Sequence, residues 1–178
     1  MIIDNNFFID LNIFLSEISK NYILPNLGKV KSKDVKIKSD SSKATIYDEE
    51  IEELLINYFT NKGFNSFIAE ETFPINFNDK DKYLTLDPID GTRNFINGVN
   101  KVAIMISYIE NNKNIFSIIH NPINNDFYHL TNNTIFKNFK IHNIKNLNHH
   151  MGYLSDEGID KYSSIIGNYI LQNRSSSI

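Results

Sequence analysis

The hydrophobic period of this chain changes at Gly63, and that switch limits the fold more than any other feature. Before it, Phe7, Phe8, Leu11, Phe14, Leu15, Ile18 and Tyr22 recur at helical spacing with Asp10, Asn12, Glu17 and Lys20 between them, which predicts an amphipathic helix ending near Pro25. The polar, lysine-rich stretch 28–43 breaks the pattern and predicts a loop or hairpin. Thr45-Ile46-Tyr47-Asp48 has the Thr-x-x-acid form of a capping box, so a second helix is expected to start there and to bury Ile51, Leu54, Leu55, Tyr58 and Phe59. After Gly63 the period shortens, predicting strands at 66–69, 83–86, 102–109, 115–120 and 126–130 between turns that carry Asn, Gly and Pro. Two helices followed by a run of strands predict a layered α+β fold. Farther on, 151–154 and 169–172 are expected as strands, 159–166 as a short helix and 138–150 as a mobile polar loop.

Composition removes several function classes. The chain has 178 residues, ordinary single-domain size, and its formal net charge is -3 with lysines scattered among the acids. No basic stripe exists to bind nucleic acid or an anionic membrane surface. With no cysteine, disulfides, thiolate zinc sites and cysteine nucleophiles are excluded, and a metal would have to be held by oxygen or imidazole. The first 20 residues lack a basic leader pattern, and no apolar run approaches the roughly 18 residues of a membrane span, so a cytoplasmic address without membrane attachment is expected.

The chemistry concentrates at Asp87-Pro88-Ile89-Asp90-Gly91-Thr92, which follows the apolar strand 83–86. Proline stiffens the turn and removes a donor, so both carboxylates and the Ile89 carbonyl can face one point instead of pairing with a ladder. An all-oxygen cluster of that kind suits Mg²⁺ or Mn²⁺. Gly91 permits close backbone approach, and the Gly91 and Thr92 amides, if they open a short helix, make an anion pocket beside the metal. A bare D-x-x-D is more often a capped turn. Here a second acidic pair, Glu70-Glu71, follows the apolar Phe67-Ile68-Ala69 and supplies a further carboxylate. Asp48 is either a helix cap or a catalytic group, and the two roles are compatible. His120, His129, His142, His149 and His150 have no metal-ligand spacing and are expected on the surface or on edge strands.

Phe67-Ile68-Ala69-Glu70-Glu71 followed by Leu86-Asp87-Pro88-Ile89-Asp90-Gly91-Thr92-Arg93-Asn94-Phe95 resembles the signature of the inositol monophosphatase superfamily. Upstream, Lys38-Ser39-Asp40-Ser41-Ser42-Lys43-Ala44-Thr45-Ile46-Tyr47-Asp48 is similar to that superfamily's K-x-D-x-S-x-V-T-x-x-D segment, with Ala44 in place of valine. The resemblance implies a layered α/β/α/β sugar-phosphatase-like sandwich, here truncated: N-terminal helices, a mainly antiparallel sheet and the start of a second α/β half. It implies a Mg²⁺-dependent phosphomonoesterase acting on a small phosphorylated metabolite, with histidinol phosphate as an alternative to inositol phosphate. Glu70, Asp87, the Ile89 carbonyl and Asp90 would ligate metal, and Gly91 and Thr92 would hold phosphate. Thr92, Asp48 and Glu70 would carry catalysis, Thr92 with Asp48 orienting and deprotonating a metal-activated water. Glu71 is expected to stand behind the donors or in solvent, and Arg93 to meet either substrate or solvent.

The chain departs from the pattern at its C-terminal end. Asn173-Arg174-Ser175-Ser176-Ser177 weakly resembles the family's G-x-R-S-x-G-S segment, and the later W-D-x-A-A-G motif, whose aspartate ligates metal, is absent from a chain without tryptophan. The expectation is a single incomplete domain, 1–137 forming the metal-binding half and 138–178 the start of the second half, with a homodimer allowed only for a full-length chain. A truncated module that binds metal or phosphate without turnover is the competing reading.

Overall fold

The computed structural model describes residues 3–39, 41–72, 81–142, 151–154 and 170–173, the last two segments as backbone. The chain divides into two compact units, Met1–His142 and Asn143–Ile178.

In the first unit, helix α1 (Asn5–Ile18) opens on Asp4, whose carboxylate accepts the Phe7 N–H at 3.0 Å. It runs into a single wide turn of π-helix at Ser19–Ile23. Strands β1 (Val35–Ile37) and β2 (Lys43–Thr45) form a hairpin, the second of the two forms expected there, antiparallel with Val35 opposite Thr45. Helix α2 (Ile46–Asn61) follows directly, its N-terminus closed by the predicted capping box between Thr45 and Asp48.

A seven-stranded sheet makes up the rest: β3 (Phe67–Ala69), β4 (Lys82–Asp90), β5 (Ala103–Glu110), β6 (Lys113–Asn121), β7 (Asp126–Thr131), β8 (Thr134–Lys137) and β9 (Lys140–Ile141) in spatial order. Within this sheet β3 and β4 run parallel, and every later neighbour is antiparallel. Strand β5 shows the period of two: Ile104, Ile106 and Tyr108 are buried, whereas Met105 on the other face is exposed. The buried side packs with Phe7, Phe8, Leu11 and Leu15 of α1 and with Ile51, Leu55 and Phe59 of α2 in one core. Burying an aliphatic or aromatic side chain of that kind contributes roughly 1.5–3 kcal/mol, so the helices are held by this face rather than by intrinsic propensity.

Two expectations need correction. His120 and His129 are core residues, 0% and 3% exposed, not surface or edge positions. His120 Nε2 lies 2.9 Å from Ser19 Oγ, and the His129 ring stacks between Phe8 and Phe136 at 4.4 and 4.7 Å. Both occupy inward positions of their strands, and an imidazole flat between two rings packs as an aromatic. The polar segment from 138 also contains more order than expected, because β9 extends the sheet there, pairing Phe136 with Ile141. His142 is exposed, and His149 and His150 lie outside the described residues.

The second unit contains a parallel pair, β10 (Met151–Leu154) and β11 (Ile170–Asn173), in register from Met151–Ile170 to Leu154–Asn173. The helix expected at 159–166 and the segment 174–177 lie outside the described residues.

Candidate active site

Strand β4 does not end at Leu86 but continues through the Asp-Pro-Ile-Asp block. Asp87 pairs with Met105 and Asp90 with Ala103, so β4 has one more residue than β5 across this interval, a β-bulge. Proline, which cannot donate to the ladder, sits inside the bulge, where the loss is tolerated. The extra residue re-aims the side chains beyond it. Gly91 then turns left-handed at φ +91°, and a Cβ there would stand 2.6 Å from the Lys101 carbonyl oxygen, so only glycine fits. Helix α3 (Thr92–Asn97) begins at the next residue, so the short helix that was the condition for an anion pocket is present. Its first-turn amides have no intrahelical acceptor, the condition for meeting an anion. Gly98 closes it in the left-handed region.

Asp48 and Thr92 meet directly. Thr92 Oγ1 lies 3.1 Å from Asp48 Oδ1 and 3.2 Å from the Ile89 carbonyl oxygen. Asp48 Oδ2 is taken by the Thr45 N–H at 2.7 Å and the Thr45 hydroxyl at 2.5 Å. The cap therefore consumes one carboxylate oxygen and leaves the other aimed at Thr92. Burial pushes the Asp48 carboxyl above its usual range, against the lowering effect of the Thr45 and Thr92 hydrogen bonds.

Glu70 is fixed beside Asp87 through the backbone, its N–H donating to the Leu86 carbonyl at 3.1 Å. Burial, then the charge and hydrogen bonding of Glu70, then the charges of Asp90 and Asp48 push the Asp87 carboxyl up to about 8. Asp87 Oδ1 is buried and has no hydrogen-bond partner. A buried orphaned oxygen among like charges is costly, and a divalent cation is the partner that would relieve it. The donor set is oxygen only, so the residues fit a hard cation such as Mg²⁺. Among the described residues no three carboxylates or imidazoles close around one point as they stand. The Glu70 carboxylate, 41% exposed, is instead drawn to Lys38, whose Nζ lies 3.2 Å from it.

Lys38 also holds Glu71 at 2.9 Å. Burial pulls the Lys38 ammonium down, but the hydrogen bond to Glu71 and the charges of Glu70 and Glu71 outweigh it and hold it above its ordinary value. The Glu71 side chain is 3% exposed. It is thus covered and paired with Lys38, not in solvent. Arg93 is exposed, and Asp40, part of the upstream motif, lies outside the described residues.

Two contributors escaped the sequence reading: Lys38 as the partner of both glutamates, and Glu52, buried on α2. The signal for Glu52 was its place four residues after Asp48, on the same helical stripe as Ile51 and Leu55.

The model of the inositol monophosphatase family matches residues 8–161. The chain belongs to that family. It is 30% identical over 99 residues to the 3'(2'),5'-bisphosphate nucleotidase CysQ of Haemophilus influenzae, a match over 53% of this chain and 37% of that protein. Across the first curated relatives the matched stretch spans less than half of their length, 37–44%. Among solved structures, the IMPase of Thermotoga maritima superposes with TM-score 0.71 at 20% identity, over 93% of this chain and 67% of that one. An IMPase/NADP phosphatase complexed with Mg²⁺ and phosphate superposes with TM-score 0.65 at 18% identity, over 93% and 66%. Among the described residues no helix is long and apolar enough to cross a membrane.

Proposed function

We propose that this chain carries the cation- and phosphate-binding part of a phosphomonoesterase that hydrolyses a small phosphorylated metabolite with Mg²⁺ as cofactor. The observation that carries the reading is the pairing of a saturated carboxylate, Asp48 on Thr92, with the orphaned Asp87 oxygen next to it in the fold. Glu70, Asp87, the Ile89 carbonyl and Asp90 would hold the cation, which when bound neutralises phosphate oxygens and the leaving alkoxide. Gly91 and Thr92 would offer amides to the phosphate.

The roles of the chain's own groups follow from their hydrogen bonds. Asp48 accepts the Thr92 hydroxyl proton, which leaves a Thr92 Oγ1 lone pair free to accept from a water and orient it. Proton release from that water runs through Thr92 toward Asp48, whose carboxyl burial has already made more basic. Because Thr45 fixes the other Asp48 oxygen, the acceptor cannot rotate away during transfer.

Inositol phosphate is the leading substrate in this reading, on family grounds, and histidinol phosphate the alternative. A nucleoside bisphosphate enters because a bisphosphate nucleotidase is among the relatives. The test is inorganic phosphate release from inositol phosphate, histidinol phosphate and adenosine bisphosphate, with and without Mg²⁺, beside an Asp90→Asn variant. Mg²⁺-dependent release that Asp90→Asn removes supports the reading, and no release from any of the three overturns it. The Lys38–Glu70 ion pair favours a second reading, a module that binds phosphate or metal without turnover. Binding of Mg²⁺ and phosphate without hydrolysis selects that one.

A further inference from the structure

Helix α2 presents a second buried carboxylate that the chemistry above does not use. Glu52 follows Asp48 by about one helical turn, so both acids lie on the stripe that also buries Ile51 and Leu55. Glu52 is 1% exposed. A carboxylate so deeply placed persists only where donors replace its water. Both of its oxygens are engaged: Oε2 accepts the Glu71 N–H at 2.8 Å, and Oε1 accepts the Thr72 hydroxyl.

Both donors belong to the two residues that follow Glu70. On its other side Glu70 is tied to β4 through the Leu86 carbonyl. The Glu70 backbone is therefore gripped from the sheet and from α2 at once. Nothing in the Glu70-Glu71-Thr72 sequence would hold this turn unaided, since it contains neither glycine nor proline and both Glu70 and Thr72 are exposed. The grip is on backbone and on Thr72, not on the Glu70 carboxylate. That carboxylate can thus leave Lys38 for a cation while its Cα stays beside Asp87.

We infer that Glu52 is a positioning residue: it locks the turn after β3 so that Glu70 stays beside Asp87 as a cation donor. The inference rests on the reading of Glu70 given above. It makes α2 a brace for two walls of one site, Asp48 fixing Thr92 and, one turn on, Glu52 fixing Glu70. Groups that orient a metal ligand in this way typically change metal affinity by about 10- to 100-fold when removed.

The test is Mg²⁺ titration by calorimetry on the whole chain and on Glu52→Leu, Glu52→Gln and Thr72→Val, with a thermal melt and amide exchange at Glu71 measured alongside. Glu52→Leu should melt cooperatively, lose Mg²⁺ affinity by about 10- to 100-fold and exchange the Glu71 amide faster. Glu52→Gln keeps an oxygen for the Glu71 N–H and should recover to within about threefold of the parent, the scale of one modest hydrogen bond. A folded Glu52→Leu with parental affinity overturns the inference. If Glu52→Leu does not fold, Thr72→Val decides, since Thr72 is exposed and Glu52 keeps the Glu71 N–H without it: a loss of about threefold supports the inference, and unchanged affinity overturns it. A parent chain that does not bind Mg²⁺ overturns the functional reading and the inference together. Mg²⁺ binding indifferent to Glu52 and Thr72 overturns the inference alone.

Discussion

Asp48 and Asp87 are the same side chain in opposite conditions. Burial pushes both carboxyls above their usual range. Asp48 answers it with three donors, the Thr45 N–H, the Thr45 hydroxyl and the Thr92 hydroxyl. Asp87 has a buried oxygen without a partner, and the acids Glu70, Asp90 and Asp48 worsen its position. The first condition suits an orienting group that must stay still, because its geometry is already over-determined. The second suits a ligand that lacks a countercharge, because every neighbour raises the gain from binding one. Local saturation by hydrogen bonds, rather than residue type, separates the two roles.

The largest effect should come from removing the unsatisfied charge. Asp87→Asn is expected to weaken Mg²⁺ binding by more than about 100-fold, as loss of a direct ligand must exceed the loss of a supporting group. In the metal-free protein the same change should stabilise the fold by about 1 kcal/mol or more near neutral pH, since a carboxyl that folding forces to take up a proton is replaced by a neutral amide. Calorimetric Mg²⁺ titration and urea unfolding measure the two quantities. A metal-free Asp87→Asn that is less stable than the parent would break the contrast, because Asp87 would then be supporting the fold as Asp48 does.

At the saturated carboxylate the signs reverse. Thr92→Val removes the hydroxyl from Asp48 and should lower phosphate release by about 100-fold, the lower end for a lost acid–base group. Its stability should stay within about 1 kcal/mol of the parent, because the Thr45 donors still serve Asp48. Asp48→Ala should match that loss of turnover and also destabilise by about 1–3 kcal/mol, since the buried Thr45 N–H loses its acceptor. Equal stability losses in the two variants would mean that the cap is not what holds Asp48.

The contrast also has a pH signature. Burial and the neighbouring acids push the Asp87 carboxyl up to about 8, from an ordinary value of 3.8. Between those values the folded state binds the extra proton, so its stability falls as pH rises through that window. Asp48 and Glu71, also raised by burial, add to the same limb. His120 works in the opposite direction: burial lowers it to about 4 from 6.5, so its neutral form supports the fold above pH 6.5 and that support is lost as pH falls toward 4. Metal-free protein should therefore melt at a lower temperature at pH 8 than near pH 6, and Mg²⁺ should restore most of the alkaline loss. Asp87→Asn should flatten the alkaline limb and, because Asp87 titrates across the window of His120 with the opposite sign, steepen the acid one. A melting temperature independent of pH between 6 and 8 without Mg²⁺ contradicts this account.

Two parts of this site were legible in the sequence because they are local, whereas the joining of Asp48 to Thr92 and of Glu70 to Asp87 was implied only by the family resemblance. A capping box spans four residues, and the turn from Asp87 to Thr92 spans six, so spacing alone brings their groups together. The α+β class was legible for the same reason, as a change of hydrophobic period. What stayed hidden depends on contacts between distant segments. Glu52 reads as one more acid on a helix until the turn at Glu71 folds against it. His129 reads as a polar residue on a strand until Phe8 arrives from α1 and Phe136 from β8. The bulge at Asp87–Asp90 is a relation between β4 and β5, so no pattern within β4 could disclose it.

The smallest effect is expected at Lys36, which sharpens the comparison by adding a pair with no burial. Lys36 and Lys38 stand two residues apart, and each binds a glutamate. Lys36 is 58% and its partner Glu49 40% exposed, whereas the Glu71 side chain held by Lys38 is nearly covered. In water and salt an exposed pair gains little, because solvent screens the attraction and two long side chains lose freedom to make it. Lys36→Ala should change stability by less than about 0.5 kcal/mol, measured by urea unfolding, and leave Mg²⁺ affinity as it was. Lys38→Ala should do more, since it strands the buried Glu71 carboxylate while freeing Glu70. If Lys36→Ala shifted Mg²⁺ affinity as far as Lys38→Ala, the general field of this lysine-rich hairpin, and not local burial, would govern the site. Asp48 and Asp87 would then differ for a reason other than their own hydrogen bonds.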